Sequence, residues 1–296
     1  MTNSSITTIL TSKTKKISIR RGDPTVIIGE RINPTGRKQV LQALQAGDFD
    51  RVRQDALSQV RAGAQVLDIN AGVPTMDEVR LLAQVMQEVM SVVDVPLCID
   101  TANPKALEAA LAVYEGKALI NSVNGEEESL LSVLPLAKEH SAAVIALCMD
   151  DDGIPASPEG RVAVAGRIID RAMQIGIPLE DIIIDPLVMA VSADSLAGRV
   201  TLETITRIVQ EFSVNITIGA SNVSFGLPDR AQLNAVFLAM AIHAGVTCPI
   251  TNPLETSIRT AVLGADLSLG RDAYAARWIR DYRARQKDSP IKRTQD

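Results

Sequence analysis

The chain has 296 residues, 46% of them hydrophobic and 22% charged, with 18 Gly and 14 Pro, which excludes a disordered chain, a collagen-like repeat and a disulfide-stapled miniprotein. Its 30 Lys and Arg against 35 Asp and Glu leave a net charge of −5, so no overall basic excess points to nucleic acid. The length admits two domains, or one α/β barrel of roughly 250 residues with extensions.

The N-terminal segment lacks the apolar core of a signal peptide. Its Ser, Thr and basic residues (Lys13, Lys15, Lys16, Arg20, Arg21) resemble a transit peptide in composition, but a structural reading fits the pattern better. Ile6 to Leu10 and Ile17 to Ile19 read as two short strands joined by the polar turn Ser12-Lys13-Thr14, a hairpin expected at the closed end of the fold that follows.

From Val26 onward one pattern repeats: a short β-branched run ends in polar residues and an amphipathic helix follows. The runs are Val26-Ile27-Ile28-Gly29-Glu30, Val66-Leu67-Asp68-Ile69-Asn70, Pro96-Leu97-Cys98-Ile99-Asp100 and Ala118-Leu119-Ile120-Asn121. Then come Ala143-Val144-Ile145-Ala146-Leu147, Ile182-Ile183-Ile184-Asp185, Asn215-Ile216-Thr217-Ile218-Gly219 and Cys248-Pro249-Ile250-Thr251-Asn252. Between them, Phe49, Val52, Ala56 and Val60 follow helical spacing up to the stop at Gly63. Asn103-Pro104 and Ser157-Pro158 are helix-start signals. Leu233, Val236, Phe237 and Met240 predict another apolar stripe, and Pro135 is expected to split the helix after the fourth run.

Eight strand–helix units in about 230 residues predict a TIM (β/α)8 barrel with an N-terminal β-hairpin extension. The expected division is a 1–25 extension, a 26–282 barrel and a 283–296 polar, frayed tail. No uncharged apolar stretch reaches the roughly 18 residues of a membrane span; the longest, Ala235 to Gly245, is one helix long. Cys98, Cys148 and Cys248 lie far apart in apolar runs, with no zinc spacing, and read as buried thiols in a reducing, cytoplasmic setting.

In such a barrel the active site lies at the C-terminal ends of the strands. Those ends are polar here: Glu30 and Asn33, Asp68 and Asn70, Asp100, Asn121 and Asn124, Asp185, Ser221 and Asn222, and Asn252. His140 and His243 fall outside this set and read as ordinary helix residues, so a Ser-His-Asp triad has no base. No strand-end Lys offers a Schiff base, and no GxGxxG follows the first run. The carboxylates alone could hold Mg²⁺. The amides are as numerous, however, and carboxylates mixed with amides suit a polar heterocycle such as a pterin, whose guanidine-like edge donates two N–H bonds. Some of these residues, notably Asn33, Asn103 and Asn252 before Pro34, Pro104 and Pro253, equally suit helix caps.

Gly29-Glu30-Arg31-Ile32-Asn33, Leu67-Asp68-Ile69-Asn70, Ile99-Asp100, Ile120-Asn121-Ser122, Ile184-Asp185-Pro186 and Ser221-Asn222-Val223-Ser224 occur in this order. Together, from about Val26 to Asp266, they resemble the pterin-binding methyltetrahydrofolate methyltransferases. That family includes the methyltetrahydrofolate:corrinoid/iron–sulfur protein methyltransferases and the folate domain of cobalamin-dependent methionine synthase. Dihydropteroate synthase is a more distant relative. Phe225 departs from the corrinoid/iron–sulfur enzymes, which carry a polar residue there, towards the methionine synthases, so the subgroup stays open.

The resemblance implies a homodimeric barrel that moves a methyl group between N5 of tetrahydrofolate and the cobalt of a corrinoid. It implies that Asp185 accepts bonds from the pterin 2-amino group and N3–H, that Asp100 and Asn121 hold the remaining edge, and that Asn222 bonds near N5. Gly219 and Ser221 would form the floor, Arg230 would lie near the site, and Glu30, Asp68 and Asn70 would complete the substrate-binding set. Asn222 and Asp100 are the expected catalytic residues, with no metal. No Asp-x-His-x-x-Gly cobalamin signature surrounds either histidine, so the corrinoid is expected on a separate protein. That partner would dock on the loops after Asn70, Asn124, Asp150 and Ser224. The alternatives are a dihydropteroate synthase, a non-catalytic folate-binding subunit, or an Mg²⁺-dependent barrel enzyme. The first would need a basic motif near the last strands, which Cys248 to Asn252 lacks.

Overall fold

A computed structural model describes residues 6–288. The hairpin strands are β1 (Thr7–Thr11) and β2 (Lys16–Arg20), paired antiparallel around a turn in which Ser12 N–H donates to Lys15 O. There follow β3 (Ile28–Ile32), α1 (Lys38–Gln45), α2 (Asp50–Arg61), β4 (Val66–Asn70) and α3 (Glu78–Met90). Next are β5 (Leu97–Asp100), α4 (Pro104–Val113), β6 (Leu119–Val123), α5 (Glu127–Glu139), β7 (Ala143–Leu147) and α6 (Pro158–Ile175). The chain continues through β8 (Ile182–Asp185), α7 (Ala197–Phe212), β9 (Asn215–Ile216), α8 (Arg230–Ala244), β10 (Ile250–Thr251), α9 (Thr256–Ser268) and α10 (Ala276–Asp288).

Every strand–helix unit expected from the sequence is present. The eight parallel strands run in the order β10-β3-β4-β5-β6-β7-β8-β9, and a parallel bridge between Gly219 and Ile250 joins the two ends into a barrel. β9 and β10 keep only two ladder residues each, shorter than the runs that predict them. Most apolar residues lie between strands and helices, where Leu67, Ile69, Leu97 and Ile99 are fully buried.

The hairpin closes the N-terminal end of the barrel. Leu10 and Ile19 are fully buried and pack with Val26, Val66, Cys98, Leu119 and Ile183, the entry residues and inward side chains of the strands. Asn215 at the start of β9 donates from Nδ2 to Thr8 Oγ1 and to Ile19 O, both at 2.9 Å. Thr11 N–H bonds Lys117 O just before β6. A buried amide that satisfies two acceptors fixes where the plug sits.

Three local expectations need correction. Pro135 does not split α5: the carbonyl it leaves unbonded belongs to Leu131, which faces solvent, so the helix runs on. α8 buries Phe237, Leu238, Ala241 and Ile242 but leaves Val236 and Met240 exposed. That helix is apolar almost all round, so spacing alone cannot select its inner face. Asn33 and Asn252 are not helix caps; each accepts a bond from the N–H two residues on, in a turn before the helix. Asn103 and Ser157 do cap α4 and α6. Residues 283–288, expected as the start of a polar tail, are the last turns of α10; residues 289–296 lie outside the described part. Among the described residues no helix is long and apolar enough to cross a membrane.

Candidate functional site

Parallel pairing brings Asn70 and Asp100, the last residues of β4 and β5, into register with Asn121 in the middle of β6. Asn70 Nδ2 donates to Asp100 Oδ2 at 3.1 Å, and Asn121 Nδ2 donates to Asp68 Oδ1 at 3.2 Å. Asp68 and Asn70 are two residues apart on one strand, so both point to the same side. The buried Asp68 and the half-buried Asp100 in this row therefore each have one amide donor. A polar cavity of about 300 Å³ opens beside it, bordered by Asp100, Asn121, Ser122 and Leu147.

Burial is the largest influence on every acid here. It pushes Asp68 well above the usual carboxylate range, helped by the charge of Asp100 and opposed by the Asn121 bond. It lifts Asp100 to about 6 against the Asn70 bond. Asp185, at the end of β8 and 7% exposed, rises to about 7 although Leu187 N–H bonds its Oδ1 at 2.8 Å and Arg161 lies near. Glu30, on β3, is also raised by burial, opposed by Arg31, Ser221 and Arg230. A set of desolvated carboxylates at one mouth matches a ligand that brings its own N–H donors.

The other side of the mouth is a tight turn. Residues 220–224 form a single 3-10 turn after Gly219, with Asn222 N–H bonded to Gly219 O. A side chain at 219 would bring its Cβ within 3.0 Å of Asn222 Nδ2, so glycine there leaves room for the amide. Asn222 is exposed and makes no side-chain hydrogen bond among the described residues. Ser221 Oγ reaches Glu30 Oε2 at 3.5 Å, a marginal bond. Arg230, the first residue of α8, is placed as a brace: it donates to Ser224 Oγ at 3.0 Å and to Ser221 O at 2.9 Å. Its guanidinium also lies 5.9 Å from the ring centre of Phe225, which is exposed.

Of the strand-end residues singled out from the sequence, Asn70 meets Asp100, Asn121 meets Asp68 and Ser221 meets Glu30, whereas Asn33, Asn124, Asp185 and Asn252 each accept from a backbone N–H of their own loop, and Arg230 braces the Asn222 turn. His140 ends α5 and His243 lies in the last turn of α8. Among the described residues no group of three or more His, Cys, Asp or Glu is arranged to hold a metal ion. All three cysteines are buried and free. Two residues beside the site escaped sequence reasoning. Glu78 accepts from Thr101 Oγ1 at 2.6 Å and adds its charge beside Asp100. Arg161 is buried beside Asp185 on the inner face of α6, in line with Ala165, Ile168 and Ala172; an arginine on an apolar stripe was the available signal.

A family model described as pterin binding enzyme matches residues 29–252. A methylcorrinoid:tetrahydrofolate methyltransferase of Eubacterium limosum is 30% identical over 263 residues, 87% of this chain and 96% of that protein. A methionine synthase of Mycobacterium tuberculosis is 31% identical over 240 residues, 77% of this chain but 20% of that longer protein. Among solved structures, dihydropteroate synthase from Vibrio fischeri matches with a TM-score of 0.67 and 20% identity, covering 89% of this chain and 98% of that one. The Thermus thermophilus dihydropteroate synthase matches with a TM-score of 0.65 and 23% identity, covering 88% and 99%. At these identities the structural matches speak to the fold alone.

Proposed function

The chain belongs to the family of pterin-binding enzymes, and from that premise we propose that it is a methyltransferase between N5 of (methyl)tetrahydrofolate and the cobalt of a corrinoid held by a separate protein. The observation that carries this reading is the match along nearly the whole length of a methylcorrinoid:tetrahydrofolate methyltransferase. The name of that relative also supports transfer from the corrinoid to tetrahydrofolate as the direction here. A dihydropteroate synthase is supported by fold likeness only.

In this reading Asp185 accepts the pterin 2-amino and N3–H donors, and both bonds favour its ionised form over the neutral form that burial favours. Asp100 and Asn121 take the remaining ring edge, with Asn70 and Asp68 holding them in place. Gly219 and Ser221 lie under the ring, Glu30 pairs with Ser221, and Arg230 fixes the turn they share. Asn222 contributes during the reaction. N5 of methyltetrahydrofolate is a tertiary amine, and its anion leaves poorly, so N5 carries a proton or positive charge at the transition state. In the reverse direction N5 becomes positive as it takes the methyl group and then loses its proton. Asn222 Oδ1 is free to accept from N5–H⁺ in either case. A bond to a charged group is worth about 1.5–3 kcal/mol, roughly 10- to 150-fold in rate if made only at the transition state. Bound to its own carrier, the corrinoid supplies the cobalt that gives or takes the methyl group.

The same reading gives a cytoplasmic homodimer with no resident metal; Val236 and Met240, exposed on α8, support an apolar contact between copies. The corrinoid carrier would dock on the loops after Asn70, Asn124, Asp150 and Ser224, as a transient partner that must leave to meet its other methyl donor or acceptor. Calorimetric titration with tetrahydrofolate and methyltetrahydrofolate tests the assignment. One site per barrel is expected; no heat and no binding with either compound contradicts it.

A further inference from the structure

Arg161, near the start of α6, is 3% exposed and, among the described residues, pairs with no carboxylate. Its fork is spent on three backbone carbonyls instead: Nε donates to Pro155 O at 2.9 Å, and Nη1 donates to Pro186 O at 3.0 Å and Leu187 O at 2.7 Å. Pro155 lies in the loop after β7, and Pro186 and Leu187 follow Asp185 directly. One buried guanidinium therefore ties two mouth loops to a helix.

The turn it holds is an unusual one. Leu187 has φ +65°, a left-handed conformation that costs a residue with a Cβ about 1–3 kcal/mol and persists only where its surroundings impose it. Arg161 imposes it from α6, and Thr201 Oγ1 on α7 reaches the same Leu187 carbonyl at 3.3 Å. This conformation sets Leu187 N–H against Asp185 Oδ1 at 2.8 Å. The orientation of the carboxylate thus follows from the turn, and the turn follows from the arginine.

We propose that Arg161 is a positioning residue for pterin recognition, which locks the Asp185 carboxylate towards the mouth through the Pro186–Leu187 turn and sets a buried positive charge beside it. The inference rests on the pterin assignment above. Neutral carbonyls leave the arginine's charge uncompensated, so its field falls on Asp185. Asp185 is also close to the Cys148 and Cys248 thiols, and burial pushes both far above neutral, so they stay uncharged. Arg161 is accordingly the cation that opposes the desolvation of Asp185.

The test is tetrahydrofolate affinity between pH 5 and 9 for wild type, Arg161→Met, Arg161→Lys and Thr201→Val. Removing the charge raises the Asp185 pKa, and the form that accepts two N–H bonds exists only above that pKa. Arg161→Met should therefore move the acid edge of binding upward by about one pH unit, and from an Asp185 pKa of about 7 that shift alone weakens binding about fivefold at pH 7. Arg161→Lys and Thr201→Val should weaken binding with the edge unmoved, since the one keeps the charge and the other never carried it. Weaker binding in Arg161→Met at every pH, with the wild-type edge, overturns the proposal and leaves a merely structural arginine. If Arg161→Met does not fold, Arg161→Gln takes its place: an acid edge raised above that of wild type supports the proposal, and the wild-type edge overturns it. A wild type that binds no tetrahydrofolate overturns the pterin assignment, and this proposal with it.

Discussion

Asn121 in the middle of β6 reaches past β5 to donate its amide to Asp68 on β4, at 3.2 Å. The Asp68 carboxylate has almost no access to water, so this amide stands in for the solvent that a charged form would need. The same arrangement recurs one step up the barrel, where Asn70 serves Asp100. Amides interleaved with acids let Asp68 and Asp100 sit side by side in one row.

The crowding makes stability depend on pH. Asp100 has a folded pKa of about 6 against 3.8 for the ordinary group, so between those values the folded state binds more protons than the unfolded state. Its contribution to stability therefore falls as pH rises through that window and stays low above it. Asp100→Asn keeps an oxygen for Asn70 and removes the charge. The variant should melt several degrees above wild type at pH 8, a gain on the order of 2–3 kcal/mol at most, with the difference closing near pH 4. Calorimetric melting at the two pH values checks it; an unchanged or lowered melting temperature at pH 8 would count against a desolvated Asp100.

Asp185→Ala should abolish most pterin affinity. It leaves two ligand donors unpaired in a buried site, which costs on the order of 3 kcal/mol or more, two decades in Kd. Titration calorimetry against tetrahydrofolate gives the answer directly, and an affinity within threefold of wild type would remove Asp185 from the pterin site.

Asn222→Ala should behave differently. The side chain makes no hydrogen bond among the described residues, and N5 is most positive along the reaction path, so turnover should drop 10- to 150-fold while Kd for methyltetrahydrofolate changes little. Equal losses in affinity and kcat/KM, with kcat intact, would make Asn222 a residue that only positions substrate.

The hairpin should matter to the fold and not to the ligand. Leu10→Ala opens a hole beneath the strands beside Val26 and Leu119 and should destabilise the protein by about 2–5 kcal/mol in urea unfolding. Tetrahydrofolate affinity should stay at the wild-type value, because the plug lies at the opposite end of the barrel from Asp185. Wild-type stability in Leu10→Ala would mean that the hairpin is an appendage.

The barrel was legible because its signals are local. Each β-branched run ends in polar residues, and Asn103-Pro104 and Ser157-Pro158 announce helix starts that the side chains then cap. The polar strand ends were legible for the same reason: residue type and position alone put Asp68, Asp100, Asn121 and Asp185 at one mouth. Pairwise facts were not legible. Nothing in the spacing tells that Asn121 serves Asp68 while Asn70 serves Asp100, since that depends on register between strands. Arg161 was missed because an arginine on a helix is ordinarily solvated, and its acceptors are carbonyls, which every residue has. The inner face of α8 was misjudged because Ala235 and Ala241 carry too little apolar weight to outvote Val236 and Met240 in the pattern, although small residues pack closest to the barrel.

The most direct measurement is a single turnover of methyl transfer, followed by the absorbance of the corrinoid at its cobalt. Purified protein, which should carry no corrinoid of its own, is mixed with tetrahydrofolate and a methylated corrinoid protein, and in a second run with methyltetrahydrofolate and the reduced corrinoid protein. Transfer in at least one direction should run orders of magnitude faster than without the protein, and should collapse in Asp185→Ala. A protein that binds tetrahydrofolate yet leaves both rates at the uncatalysed level contradicts the methyltransferase assignment and describes a folate-binding subunit instead.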